Sequence, residues 1–246
     1  MTPRVSVVIP VYNEGDGIVT CLDRLVDAIT LPCEILVVFD SNDDTTRPYA
    51  EKYAEVDARV VPTLNTLGRG PAFAIRAGIE HATAPVVVVT MADGSDDPTQ
   101  VDQLARLIER GVVVAAASRY MPGGSQIGAP WLKSSFSRWA GLTLCWFARV
   151  GTHDATSSFK GYDRAFVQEV GIESDAGFEL AIELVAKARR HRRPVGEIPT
   201  IWLERVQGAS NFKMWKWMPR YFHWYFHAFG PRIRGPKITE HEGRTT

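Results

Sequence analysis

Three loops of this 246-residue chain carry more acid than a solvated surface requires. They are Tyr12-Asn13-Glu14, the run Asp40–Asp44, and Asp93-Gly94-Ser95-Asp96-Asp97. Carboxylate oxygens gathered in this way are hard ligands of the kind that hold a divalent cation. The competing role is capping the helix that Pro98 opens, and Asp97 suits that role best. Basic side chains, 28 in all, are scattered along the whole chain. The six histidines show no ligand spacing. Cys21, Cys33 and Cys145 have neither metal spacing nor a disulfide pattern, so reduced core residues are expected.

The elements that must position these loops read as alternating strands and helices. Val5–Ile9, Glu34–Phe39, Arg59–Val61, Val86–Thr90 and Val112–Ala116 are short apolar runs with the look of buried strands. Between them, Ile18, Cys21, Leu22, Leu25, Val26 and Ile29 repeat at helical spacing. Thr45–Glu55, Pro71–Ala82 and a segment opened by Pro98 also read as helices. The alternation predicts right-handed crossovers and a mostly parallel sheet, an α/β fold. Ligands of such sheets sit beyond the carboxyl ends of the strands, where the three acidic loops fall.

The second half is less regular. Met121–Pro130 reads as a Gly/Pro loop, Trp131–Val150 as a mixed helix, Phe178–His191 as a helix and Val195–Leu203 as a strand. Phe212–Phe229 is an aromatic stripe with Lys213, Lys216 and Arg220 among the rings. Pro219 is expected to break it into two short helices. The domain expectation is 1–211 for the α/β unit, 212–230 for the amphipathic aromatic segment and 231–246 for a frayed tail.

Charge is balanced, with 28 bases against 28 acids, so nucleic acid is not an expected partner. The balance hides an asymmetry. Residues 1–110 hold 17 acids and 9 bases, and residues 187–246 hold 4 acids and 13 bases. A basic segment rich in aromatic rings suits a lipid head-group region. Packing on the domain and a homo-oligomer contact are the alternatives for those rings. No secretory signal and no apolar run of bilayer length is visible, so the expected location is cytoplasmic and peripheral to the inner membrane face.

Six motifs in order carry a resemblance to a family. They are Val7–Glu14, Asn65–Gly78, Met91–Pro98, Ser118–Gly124, Asp154–Tyr162 and Glu197–Lys213. Together they resemble the family 2 glycosyltransferases of GT-A fold, and among these the polyprenyl-phosphate (dolichyl-phosphate) mannose and glucose synthases. The resemblance implies a nucleotide-sugar site at Pro10, Tyr12, Glu14, Asp40, Arg69, Asp93 and Lys213. It implies a metal, Mg²⁺ or Mn²⁺, at Asp93, with Asp96 supplying the acid that is missing where Met91 replaces the first Asp of an Asp-X-Asp. Arg119, Lys133 and Ser137 fall where the family binds the acceptor phosphate, and Asp154 falls near the acceptor nucleophile. Arg205 and Lys213 lie in a late loop that closes over the diphosphate. Phe39, Met91, Lys133, Ser158 and Lys160 depart from the family pattern.

The implied reaction is inverting transfer of a hexose from a nucleotide-diphosphate sugar to a polyprenyl phosphate. Two alternatives stay open on the sequence: transfer to a hydroxyl acceptor in cell-envelope or antigen polysaccharide synthesis, and nucleotide-sugar binding without turnover. A hydroxyl nucleophile needs a base, for which Asp154 or an acid of Asp93–Asp97 is available.

Overall fold

The computed structural model describes residues 2–128, 131–204 and 214–233, with the backbone alone at 132, 133 and 214–217. Arg205, Lys213 and the Lys133 side chain therefore lie outside the described residues.

The chain begins with β1 (Val5–Val11), α1 (Gly17–Ala28), β2 (Cys33–Phe39), α2 (Arg47–Val56), β3 (Val60–Leu64) and α3 (Pro71–His81). It continues through β4 (Val86–Val89), α4 (Val101–Glu109), β5 (Val114–Ser118), β6 (Ser125–Ile127) and α5 (Trp131–Thr143). The remainder is β7 (Lys160–Asp163), α6 (Arg164–Val170), α7 (Leu180–Arg190), β8 (Val195–Pro199), β9 (Ile201–Leu203) and α8 (Met214–His227). Seven strands form one sheet in the order β3-β2-β1-β4-β7-β5-β8. Only β7 runs antiparallel to its neighbours. A separate parallel ribbon joins β6 to β9.

Both faces of the sheet are covered, which is why the strands read as unbroken apolar runs. Val8, Leu36, Val38, Val87 and Val89 face the core shared with α3, α7 and α8. Their neighbours Val7, Ile9, Ile35, Val37 and Val88 face the core shared with α1, α2 and α4. The order of strands reverses between β1 and β4, because β2 and β3 build outward on one side and β4 on the other. A crevice opens at the carboxyl ends of strands at such a reversal.

Several expectations need correction. β1 continues past the expected end at Ile9, through Pro10 to Val11, so the loop starts at Tyr12. β5 spans Val114–Ser118, two residues later than expected. The expected Gly/Pro loop contains β6, which pairs with β9. The expected strand 195–203 is two strands: Pro199 ends β8, the Thr200 N–H turns back to the Ser118 carbonyl, and β9 leaves for the ribbon. Trp131–Val150 is α5 followed by a π-helical turn at Leu144–Ala148 that stops at Arg149, whose φ is +57°. β7 falls where only a motif was read, and α6 in a stretch given no reading.

Pro219 does not break the aromatic helix, since α8 is continuous across it. Proline removes one backbone hydrogen bond there. Tertiary packing offsets that loss: Trp224 and Ala228 are buried in the core, the Lys187 ammonium lies 5.2 Å from the Trp224 ring centroid, and Arg190 donates to His227 Nε2 at 2.7 Å. The aromatic segment is thus built onto the domain along one line. Phe222, Phe226 and Phe229 on other faces remain exposed.

Candidate active site

The crevice is a cavity of about 1090 Å³. Its two ends differ in chemistry.

One end is acidic. The turn after β1 is tied to the loop after β2: the Asp44 carboxylate accepts from the Asn13 N–H at 3.1 Å and from the Thr46 N–H at 2.8 Å. The Glu14 N–H donates to Thr46 Oγ1 at 3.0 Å, and the Thr45 N–H to Asn13 Oδ1 at 3.1 Å. These bonds hold Asn13 at φ +55° and leave the Tyr12 ring 63 % exposed on the cavity wall. Asp40 also lines the cavity, but both its oxygens have partners. It accepts from Asn65 Nδ2 and from the Gly70 N–H, each at 2.7 Å. Asp40 therefore fastens the Gly-rich turn at the start of α3, placing Arg69 on the wall. Gly70 has φ +114°, a value open to glycine and costly for other residues.

After β4 the chain turns through Met91–Asp97. Met91 packs on the core beside the cavity. Asp93 Oδ1 accepts from the Ser95 N–H at 3.0 Å and Ser95 Oγ at 2.6 Å. Asp96 uses one oxygen, Oδ2, to accept from Thr90 Oγ1 at 2.9 Å and the Met91 N–H at 3.1 Å. Burial, and then the neighbouring Asp93 charge, pushes Asp96 up to about 6. Burial is the larger cause, and the Asp93 charge adds to it. Hard oxygens from two acids, both on the cavity wall, fit a divalent cation that completes its shell with phosphate oxygens. Among the described residues no group of three His, Cys, Asp or Glu forms an all-protein cage. Asp97 instead caps the turn before α4, accepting from the Thr99 N–H at 3.0 Å.

The other end is built around Arg119, at the end of β5. Its Nε donates to Asp154 Oδ2 at 2.7 Å and its Nη2 to Asp154 Oδ1 at 2.9 Å, a two-pronged pair. Nη2 also reaches Ser137 Oγ at 3.3 Å and Thr156 Oγ1 at 3.4 Å, and those two hydroxyls are 2.6 Å apart. The guanidinium lies 4.9 Å from the Tyr120 ring centroid and 6.0 Å from that of Trp202. Arg119, Ser137 and Thr156 line the cavity. Asp154 does not: it is fully buried beneath them and also accepts the Arg119 and Ser157 N–H groups. Burial alone would raise its carboxyl, but the Arg119 charge and hydrogen bonds more than offset this and hold it below the usual carboxylate range. A carboxylate so engaged orients Arg119 and is not placed to take a proton from a ligand in the cavity.

α5 reaches this end through Gly141. A Cβ there would lie 2.2 Å from the His153 carbonyl oxygen. The close approach brings Ser137, one turn earlier, to Arg119. Aromatic rings of α5 and α8 complete this side of the cavity. Trp139 stacks on Tyr225 at 6.0 Å, Phe136 meets Phe222 edge-on at 6.1 Å, and Tyr225 Oη donates to Thr143 Oγ1 at 2.9 Å.

The family described as Glycosyl transferase family 2 matches residues 6–171. The chain belongs to this family. It is 29 % identical over 216 residues to the polyprenol monophosphomannose synthase of Mycolicibacterium smegmatis, covering 85 % of this chain and 81 % of that protein. It is 30 % identical over 217 residues to the undecaprenyl-phosphate mannosyltransferase of Micrococcus luteus, covering 85 % and 87 %. Among solved structures, it resembles glucosyl-3-phosphoglycerate synthase from Mycobacterium tuberculosis in complex with Mn²⁺, UDP and phosphoglyceric acid. The TM-score is 0.66 at 15 % identity, over 95 % of this chain and 81 % of that one. A mannosyltransferase from Pyrobaculum calidifontis with GDP-Man and Mn²⁺ gives a TM-score of 0.62 at 20 % identity, over 92 % and 64 %. The expected GT-A fold is therefore the fold found, and the glycosyltransferase family assignment stands.

Sequence reasoning brought Pro10, Tyr12, Glu14, Asp40, Arg69, Asp93, Asp96, Arg119 and Ser137 to one cavity, and all nine line it. It missed Asp44, Thr156 and Gly141. Asp44 stood in a recognised acidic run, and Thr156 in a quoted motif. Nothing in the sequence marks Gly141.

Proposed function

We propose that this glycosyltransferase moves a hexosyl group, mannose by its relatives, from a nucleotide-diphosphate sugar to a polyprenyl phosphate at a membrane surface. The observation that carries the reading is the single cavity with an acidic end, a cation end built on Arg119, and aromatic rings beside the cation end. The nucleotide lies along Tyr12, Glu14, Asp40 and Arg69. Asp93 and Asp96 would hold a Mg²⁺ or Mn²⁺ ion, which would supply charge neutralisation for the leaving diphosphate. Arg119, Ser137 and Thr156 bind the acceptor phosphate and direct one oxygen at the anomeric carbon. The new C–O bond forms as the bond to the diphosphate breaks, with inversion. A phosphate is already ionised near neutral pH, so orientation rather than a base is needed. That agrees with an Asp154 engaged by Arg119.

No helix among the described residues is long and apolar enough to cross a membrane. Trp146, Phe147, Phe226 and Phe229 are nevertheless exposed. Such rings suit the cytoplasmic head-group region, with the prenyl chain leaving the cavity on the aromatic side. The test is incubation of the purified protein with labelled GDP-mannose or UDP-glucose, Mn²⁺, and either polyprenyl phosphate or a saccharide. Label must enter the organic phase with the lipid acceptor. Label found only in a soluble saccharide product sinks the reading.

A further inference from the structure

Arg119 presents a puzzle. A guanidinium meant to attract a phosphate is paired two-pronged with a buried carboxylate, and an Arg–Asp pair has no net charge. Lys160 lies beneath it. This lysine is the first residue of β7, flanked in the sheet by Val89 and Ala116, and is fully buried. Its ammonium donates to the Ala155 carbonyl at 3.2 Å and to the Ser157 carbonyl. Both belong to the turn that presents Thr156 to the cavity and carries Asp154.

We infer that Lys160 is a positioning residue for the acceptor phosphate: its ammonium fixes the 154–158 turn from below and restores a net positive charge to the Arg119–Asp154 pair. The inference rests on the reading that the Arg119 end takes the acceptor. With Lys160 protonated, the cluster of Arg119, Asp154 and Lys160 carries +1; with Lys160 neutral it carries none. The charged groups acting on Lys160 are Asp154 in its own turn, Arg119 at the end of β5, Glu197 on β8 and Asp96 after β4. Burial is the largest influence and pushes the ammonium down to about 7 despite the acidic neighbours. Acceptor affinity therefore falls as pH rises through that value, because the proton lost is the one that leaves the cluster positive.

The experiment measures KM for a short-chain polyprenyl phosphate, KM for the nucleotide sugar and kcat, from about pH 6 to about pH 9. It compares wild type with K160R, K160M and R119A. The second ionisation of the acceptor phosphate is common to all, so the ratio of acceptor KM between wild type and K160R isolates Lys160. That ratio is expected to rise about tenfold across the range, the effect of one charge at close distance in a partly screened site. K160M is expected to show a raised acceptor KM at every pH, with donor KM unchanged. A ratio independent of pH, or donor and acceptor KM moving together, overturns the inference. If K160M fails to fold, the K160R ratio alone decides. R119A separates the two claims. If it leaves acceptor KM unmoved, the assignment of the acceptor end falls and this inference with it. If it raises acceptor KM while the Lys160 variants do not, only the role of Lys160 falls.

Discussion

Replacing Gly141 by Ala tests whether α5 is what places the acceptor-binding hydroxyl. The added Cβ would stand 2.2 Å from the His153 carbonyl oxygen and 3.2 Å from its carbon, both backbone atoms with no flexible end to give way. Relief requires α5 and the 153–154 backbone to part by about 1 Å, a strain of the overpacking kind that costs about 2 kcal/mol. For a chain of this size that lowers Tm by about 4–8 °C. Ser137 sits one turn earlier on the same helix face. Its contact with Arg119 Nη2 is already 3.3 Å, so a shift of this size breaks it. Misplacement of that order near reacting groups costs between about tenfold and about a hundredfold in rate. The assay pairs a thermal melt with KM for the polyprenyl phosphate and for the nucleotide sugar. The expected result is a lower Tm and a raised acceptor KM, with donor KM unchanged because the contacts displaced lie at the Arg119 end. A variant with wild-type Tm and wild-type acceptor KM refutes the reasoning.

Asp93→Asn is expected to lower kcat by several kcal/mol equivalent of transition-state stabilisation with an unchanged melt, and chelator is expected to do the same to wild type; full activity under either condition removes the metal assignment. Asp44→Ala frees the Asn13 and Thr46 N–H groups, so donor KM is expected to rise by an amount equivalent to about 1–3 kcal/mol while acceptor KM holds; initial-rate kinetics check the split. A triple variant of Trp146→Ser, Phe147→Ser and Phe226→Ser alters exposed rings that do not line the cavity. It is expected to float less with anionic liposomes at unchanged KM for a short soluble acceptor, each ring contributing about 1.5–3 kcal/mol of burial; equal flotation places the membrane face elsewhere.

The first half of the fold was legible because its strands are buried on both faces. Val86–Val89 and Val5–Ile9 admit no reading but a covered strand, and the helix over Val101–Ile108 shows its apolar face at once. The second half resists because its pairing is non-local. Lys160-Gly161-Tyr162-Asp163 has none of the apolar look of a central strand, yet it sits between β4 and β5. Lys160 is there for its ammonium and Gly161 because Leu104 and Ile108 of α4 pack close over it. Ser125-Gln126-Ile127 is a strand only because Ile201–Leu203 comes back to it. At the site, residues that carry charge towards the cavity were visible as acids and bases in loops. Residues that hold those charges in place were not. Asp44 does its work through backbone N–H groups, and Gly141 through the absence of a side chain.

Both proposed substrates are anions, and the cavity treats them by different means. The acidic end offers Glu14, Asp40, Asp43, Asp44, Asp93 and Asp96 against Arg69. Much of that acid is spent within the protein, as Asp40 and Asp44 hold loops through N–H groups. The remainder would still repel a diphosphate. Asp93 and Asp96 would hold a divalent cation, whose charge would turn that repulsion into attraction. The cation end cannot work that way, because a metal there would compete for the attacking oxygen. It needs fixed charge that does not coordinate, and a guanidinium supplies it in a planar, directed form. Fixing Arg119 in one rotamer takes a carboxylate, and the carboxylate cancels the charge it orients. A buried ammonium below the pair answers that conflict, since it adds charge without entering the cavity and braces the same turn through two carbonyls. The choice of lysine then has a consequence: an Arg at 160 would keep that charge at every accessible pH, whereas burial leaves Lys160 able to release its proton near neutrality.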